Sequence, residues 1–296
     1  MYQSILRTLL APCLALIFCV GSAVAHDLDE VRAAGVLRHL GIPYANFVTG
    51  AGDGLDVELM KGFADHLGVR YEFVPTSWDK VFGDLTGQNA RRNGDHAERF
   101  GDGPIRGDLV ANGMTVLGWR QQVVAFSQPT FPSGVWLLAR AESALTPIQP
   151  SGALDADIVE TKSRLDGNSV LALANTCLDP GLYRLESTRA DIRLAPKERK
   201  LNEMVPALLN RDAETTLLDV PDALIALERW PGQIKVLGPI SDEQRMAVAF
   251  RPDTPKLRAA FNAYLQQVRS DGTYQRLVRK YYPAVFDYFP EFFASN

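Results

Sequence analysis

The sequence predicts an α/β protein built on mainly parallel sheets. From residue 36 onward, short apolar runs alternate with amphipathic stretches, the rhythm of strands connected through helices. The same rhythm resumes after residue 169. A chain of 296 residues with 46% hydrophobic content also carries enough apolar side chains for one large domain or two modest ones.

The elements follow in order. VLRHLGI (36–42) reads as a strand, closed by Pro43. In GLDVELMKGFADHLG (54–68), Leu55, Leu59, Met60, Phe63 and Leu67 fall at helical spacing. VRYEFVP (69–75) alternates as a strand, WDKVFGDL (78–85) suits a short helix, and DLVANGM (108–114) is strand-like again. The second half gives strand 169–174, helix 179–188, strand 191–195, helix 200–210, strand 215–219, helix 221–230 and strand 233–238. Two stretches break the rhythm. Residues 88–107, QNARRNGDHAERFGDGPIRG, have almost no apolar content and several glycines, so a long loop is expected there. The C-terminal KYYPAVFDYFPEFFASN is dense in aromatic rings and is expected to pack against the fold.

The N-terminus reads as an export signal. Arg7 precedes the apolar run LLAPCLALIFCV, and AVA (23–25) supplies small residues before His26. A lipoprotein reading would use Cys19, but the bulky Phe18 before it disfavours acylation there. Removal of residues 1–25 would leave a periplasmic protein of 271 residues starting at His26. Cys13 and Cys19 would leave with the signal, so Cys177 alone remains and no internal disulfide is expected. The net charge of −4 argues against nucleic-acid binding, which needs a basic footprint.

Ligands of open α/β sheets bind beyond the carboxyl ends of the parallel strands. The residues found there are Tyr44, Asn46 and Phe47; Trp78; Thr115 and Arg120; Asn175, Thr176 and Cys177; and Asp219, with Pro221 opening the next helix. An arginine offers a planar fork to a carboxylate, an aspartate can hold an ammonium, and the rings can cover apolar surface. A zwitterion with a side chain fits this set better than a metal, nucleotide or polymer, and no cofactor is expected. Each residue also has a plainer reading: Arg120 as a solvated charge, Asp219 and Thr176 as helix caps, Trp78 and Tyr44 as core rings. Cys177 has no histidine assigned to it by sequence and reads as a small buried thiol rather than a nucleophile. Asp95, His96 and Glu98 lack a recognised metal spacing.

GVLRHLGIPY, GLDVELMKGFADHLGVRYEFVPTSWDKV, GDLVANGMTVLGWRQQVVAFSQPTF, ETTLLDVPDALIAL and LRAAFNAYLQQVRSDGTYQRLVRKYYP stand in one order along the chain. In these segments the sequence resembles the family 3 extracellular solute-binding proteins, the amino-acid-binding branch of type 2 periplasmic binding proteins. The resemblance implies two lobes joined by two crossing strands and closing on a ligand. Lobe 1 would comprise 26–129, with 88–107 as an insertion, lobe 2 would comprise 130–245, and 246–296 would return to lobe 1. Arg120 would grip a ligand α-carboxylate, Asp219 the α-ammonium, Trp78 and Tyr44 would line the pocket, and Thr115 and Thr176 would contact the ligand. A monomer delivering a small amino-acid-like solute to an ABC-type permease is implied. One departure stands out: Leu117 occupies the position, three after the methionine of MT, where the family usually has threonine. Three other functions belong to related folds. A cyclohexadienyl dehydratase would need a general acid, for which only Asp219 offers itself. A ligand-sensing partner of a membrane signalling protein could use the insertion or the aromatic tail. A lytic transglycosylase is disfavoured because no second catalytic domain follows.

Overall fold

The computed structural model describes residues 27–196 and 199–294, and two five-stranded sheets organise them. The expected export signal lies outside the described residues. The first sheet runs in the order Arg70–Pro75, Val36–Gly41, Leu109–Val110, Ala249–Phe250, Ala125–Phe126. Its first three strands are parallel, with Val36 opposite Arg70 and His39 opposite Leu109; the last two pairings are antiparallel. The second sheet runs Asp191–Leu194, Ser169–Ala172, Thr215–Asp219, Val135–Arg140, Ile234–Pro239, again with three parallel strands followed by two antiparallel pairings. The expectation of mainly parallel sheets therefore holds for the helix-connected half of each. Val135–Arg140 and Ala249–Phe250 reach their sheets directly from the connection between lobes, with no helix to turn the chain back into parallel alignment.

Local chemistry explains the elements that position the cleft. Helix Leu55–Leu67 buries Leu55, Leu59, Met60, Phe63 and Leu67, and ends at Gly68 in the left-handed region. Every residue of Thr215–Asp219 is buried, as a central strand covered on both faces requires. Between the sheets, Phe131–Ser133 pairs antiparallel with Gln244–Met246. The wholly buried Phe131 sits 5.2 Å from Phe47, 4.8 Å from Tyr282 and 6.3 Å from Phe293, ring centre to ring centre. The aromatic tail forms two short helices, Val285–Tyr288 and Pro290–Ala294, and reaches further than expected: Tyr288 lies 5.3 Å from Trp136 on the second sheet.

Two sequence expectations change. Residues 88–107 are no open loop: Gln88–Asn93 and His96–Asp102 form an antiparallel hairpin. Its two-residue connection opens at Gly94, with φ +61, where glycine avoids a Cβ clash. Residues 179–188 form no α-helix but two 3₁₀ turns, Pro180–Tyr183 and Leu185–Ser187. The chain breaks between them at Arg184, whose φ of +54 is incompatible with helical continuation.

Candidate functional site

On the first lobe, the chain leaving Leu109–Val110 passes through Gly113, whose φ is +63 and whose amide donates to Asp56 Oδ2 at 2.7 Å. A Cβ there would stand 2.4 Å from the Phe47 ring, so glycine lets the backbone lie against the core. Thr115 bridges to Met246, and the short helix Gly118–Gln121 then carries Arg120. Arg120 as a whole is 2% exposed. Nη1 donates to the Thr115 carbonyl at 2.9 Å, and the group lies 5.5 Å from the ring centres of both Trp78 and Trp119. Nε is buried without a hydrogen-bond partner. Burial pulls the Arg120 pKa down, yet guanidinium keeps its proton in proteins, so a desolvated charge remains.

On the second lobe, Asp219 ends its strand and caps helix Val220–Arg229, accepting from the Asp222 amide at 3.2 Å. Its Oδ2 accepts from the Tyr44 hydroxyl, across the cleft, and from Cys177 Sγ at 3.3 Å. Burial raises the pKa of Asp219, with the Tyr44 hydrogen bond and the Arg120 charge pulling the other way. Asp222, also buried, is pushed well up by desolvation and by Asp219, and its Oδ2 has no partner. Hydrogen bonds from Tyr44, Cys177 and the Asp222 amide favour the charged form of Asp219, whereas Asp222 has no such support against desolvation and the neighbouring carboxylate.

All six sequence-derived candidates, Tyr44, Trp78, Thr115, Arg120, Thr176 and Asp219, line one cavity of only about 10 Å³, room for about one water, so the lobes must part to admit anything larger. Tyr44 and Trp78 meet edge to face at 6.2 Å. The Thr176 hydroxyl is engaged within its own loop, donating to the Leu173 carbonyl (2.8 Å) and accepting from the Leu178 amide (3.0 Å). Other strand-end residues go elsewhere. Phe47 is core, Asn46 bonds Tyr281 and Tyr282, and the Asn175 amide donates to Asp179. Sequence reasoning missed Gly113 and Leu201 as cavity residues, and it placed Cys177 at a strand end without giving it a ligand role. Cys177 follows Thr176 directly, and that adjacency was the available signal. Leu117 does not line the cavity; it packs in the first-lobe apolar cluster and leaves the N-terminus of Gly118–Gln121 without a side-chain cap. Among the residues considered for a metal, Glu98 is paired with Arg91 at 2.9 Å.

Arg120 and Asp219 thus face one small space from opposite lobes, and among the described residues no ion pair joins them. Residues 105–284 match the model of the bacterial extracellular solute-binding proteins, family 3. The chain belongs to that family. The matched span holds Thr115, Arg120, Thr176 and Asp219, whereas Tyr44 and Trp78 precede it. Curated relatives of this family 3 protein include the membrane-bound lytic murein transglycosylase F of Desulfosudis oleivorans, 28% identical over 238 residues, or 79% of this chain and 46% of that protein. The L-cystine-binding protein TcyJ of Escherichia coli K12 is 24% identical over 232 residues, 78% of this chain and 74% of the relative. The chain thus spans about half the length of the transglycosylase it matches. Among solved structures, the ancestral amino acid-binding protein AncCDT-1, described as a precursor of cyclohexadienyl dehydratase, aligns with a TM-score of 0.66. It is 24% identical, with 86% of this chain and 98% of that one covered, and it shares the two-lobed fold.

Proposed function

We propose that this family 3 protein captures a small amino-acid-like solute in the cavity between its lobes, with Arg120 taking the carboxylate and Asp219 the ammonium. The observation that carries the reading is the pairing of a buried cation and a buried carboxylate on one cavity, from opposite lobes, without a bond between them. Buried charges are costly unless paired, and a zwitterion supplies both counter-charges at once. Because the ligand would touch both lobes, its differential affinity for the closed arrangement would drive closure. Micromolar binding requires about 8.2 kcal/mol, more than one charge-assisted contact of roughly 1.5–3 kcal/mol, so Trp78 and Tyr44 must contribute burial. The closed protein would then hand its solute to a membrane permease. Export is carried by the signal-like residues 1–25, and the mass of the mature protein recovered from the periplasm, starting at His26, tests that part. A thermal-shift screen of the common L-amino acids and L-cystine tests the binding. Stabilisation by none of them would overturn the reading.

One observation favours a second reading. Burial raises the Asp219 carboxyl, the direction a general acid needs, which keeps a dehydratase of the cyclohexadienyl type in view. Incubation with prephenate or arogenate, followed by ultraviolet absorbance of the aromatic product, separates the two; no product leaves the binding reading alone.

A further inference from the structure

We propose that Arg92 and Asp179 are positioning residues of the cavity, with the hairpin 88–102 acting as a strap that joins the lobes and fixes the loop bearing Thr176 and Cys177. The functional meaning of this strap rests on the proposed reading of the cavity as a solute site. On the first lobe Ala90 and Ala97 of the hairpin pack in the apolar cluster, and the polar contacts near its turn converge on Gln122. The Ala97 amide donates to Gln122 Oε1 (3.0 Å), Gln122 Nε2 donates to the Asp95 carbonyl (3.1 Å), and Arg99 Nη2 donates to the Gln122 carbonyl (2.8 Å). Gln122 follows Gly118–Gln121, the helix that carries Arg120. The hairpin is therefore anchored at the proposed carboxylate grip.

Its other end reaches the second lobe. Arg92 Nη1 meets Asp179 Oδ1 at 2.8 Å, with the two side chains only 12% and 14% exposed. Asp179 also organises the loop beside the cavity: Oδ1 accepts from the Gly181 amide (3.0 Å) and Oδ2 from the Asn175 amide (2.8 Å). Asn175 sits at φ +63, a left-handed conformation that asparagine adopts more readily than other non-glycine residues, and its amide is held there by Asp179. Thr176 and Cys177 follow at once. One carboxylate thus bonds the strap and both amides that shape the loop, so placing Arg92 on Asp179 couples lobe closure to the order of the cavity wall. In a largely buried ion pair, further hydrogen bonds to the carboxylate, as here from the Asn175 and Gly181 amides, offset part of the desolvation cost.

Amide hydrogen exchange across residues 173–183, measured on the whole protein with no ligand added, tests the strap. Four forms are compared: the parent, Arg92→Ala, Arg92→Lys and Arg91→Ala. Arg91 pairs with Glu98 inside the hairpin and serves as the control for hairpin integrity alone. Arg92→Ala should speed exchange of the Asn175 and Gly181 amides fivefold or more. Arg92→Lys should stay within about twofold of the parent, and Arg91→Ala should leave the loop unchanged. Should Arg92→Ala fail to fold, Arg92→Gln, which is polar and uncharged and ends short of the Nη1 position that meets Asp179, carries the same expectation. Exchange within twofold of the parent in the Ala or Gln variant overturns the proposal, as does equal acceleration by Arg91→Ala. Since no solute is present, this outcome is independent of whether an amino acid binds.

Discussion

Arg120 answers to two environments at once: the rings of Trp78 and Trp119 that flank it, and the cavity that its guanidinium lines. Its burial, with Nε unpartnered, sets it apart from the solvated arginines of the surface. Replacing it with alanine should weaken a carboxylate ligand tenfold or more, about 1.5–3 kcal/mol, and Asp219→Asn should weaken an ammonium-bearing ligand in the same range. Both residues were visible in the sequence because strand ends in α/β sheets gather function. Cys177 stands at a strand end with them, but a lone thiol is weighed as a nucleophile or as packing, and neither question asks whether it borders a cavity. Two other buried groups give a pH signature. Asp56 is raised by burial to about 7, so the fold holds a proton that the unfolded chain has released, and stability rises as pH falls through 7. Buried His39 is lowered to about 4, so below pH 6.5 the unfolded chain gains a proton that the fold refuses, and stability falls. Asp56→Asn should therefore stabilise most at pH 8, and its advantage should vanish towards pH 4. Urea midpoints at pH 8, 6.5 and 5 check this, and an advantage that grows on acidification contradicts it.

Among the elements, the helix Leu55–Leu67 and the fully buried strand Thr215–Asp219 were legible because period and composition agree with their surroundings. The hairpin was hidden for a physical reason. Its strands lack apolar alternation, since only Ala90 is buried along Gln88–Asn93, and they are held by cross-strand and lobe-to-lobe polar contacts instead. The Asn93-Gly94 turn was the one local signal. The 3₁₀ pair at 180–187 was masked by an amphipathic look that carried no information about Arg184. The crossing strand has the opposite character, a ring cluster around Phe131. Phe131→Ala should cost about 3–5 kcal/mol, read as a lowered denaturation midpoint. A loss under 1 kcal/mol would show that the cluster does not brace the crossing.

At the scale of the whole molecule, the lobes meet through Tyr44 on Asp219 and Arg92 on Asp179. The first contact occupies the very carboxylate proposed for a ligand ammonium, so solute binding would replace it. Tyr44→Phe should raise the open population of the unliganded protein, seen as a larger radius of gyration in solution scattering, and an unchanged radius would count against that view. The two-lobed architecture was legible through the family resemblance; the closeness of the lobes was not, because it depends on which side chains find each other across the gap. The central claim is that one zwitterion bridges Arg120 and Asp219. Calorimetric titration of the amino acid giving the largest thermal shift, into the parent and Arg120→Ala proteins, tests it most directly. The account predicts saturable one-to-one binding that weakens at least tenfold in the variant. Equal affinity in the two proteins would contradict it.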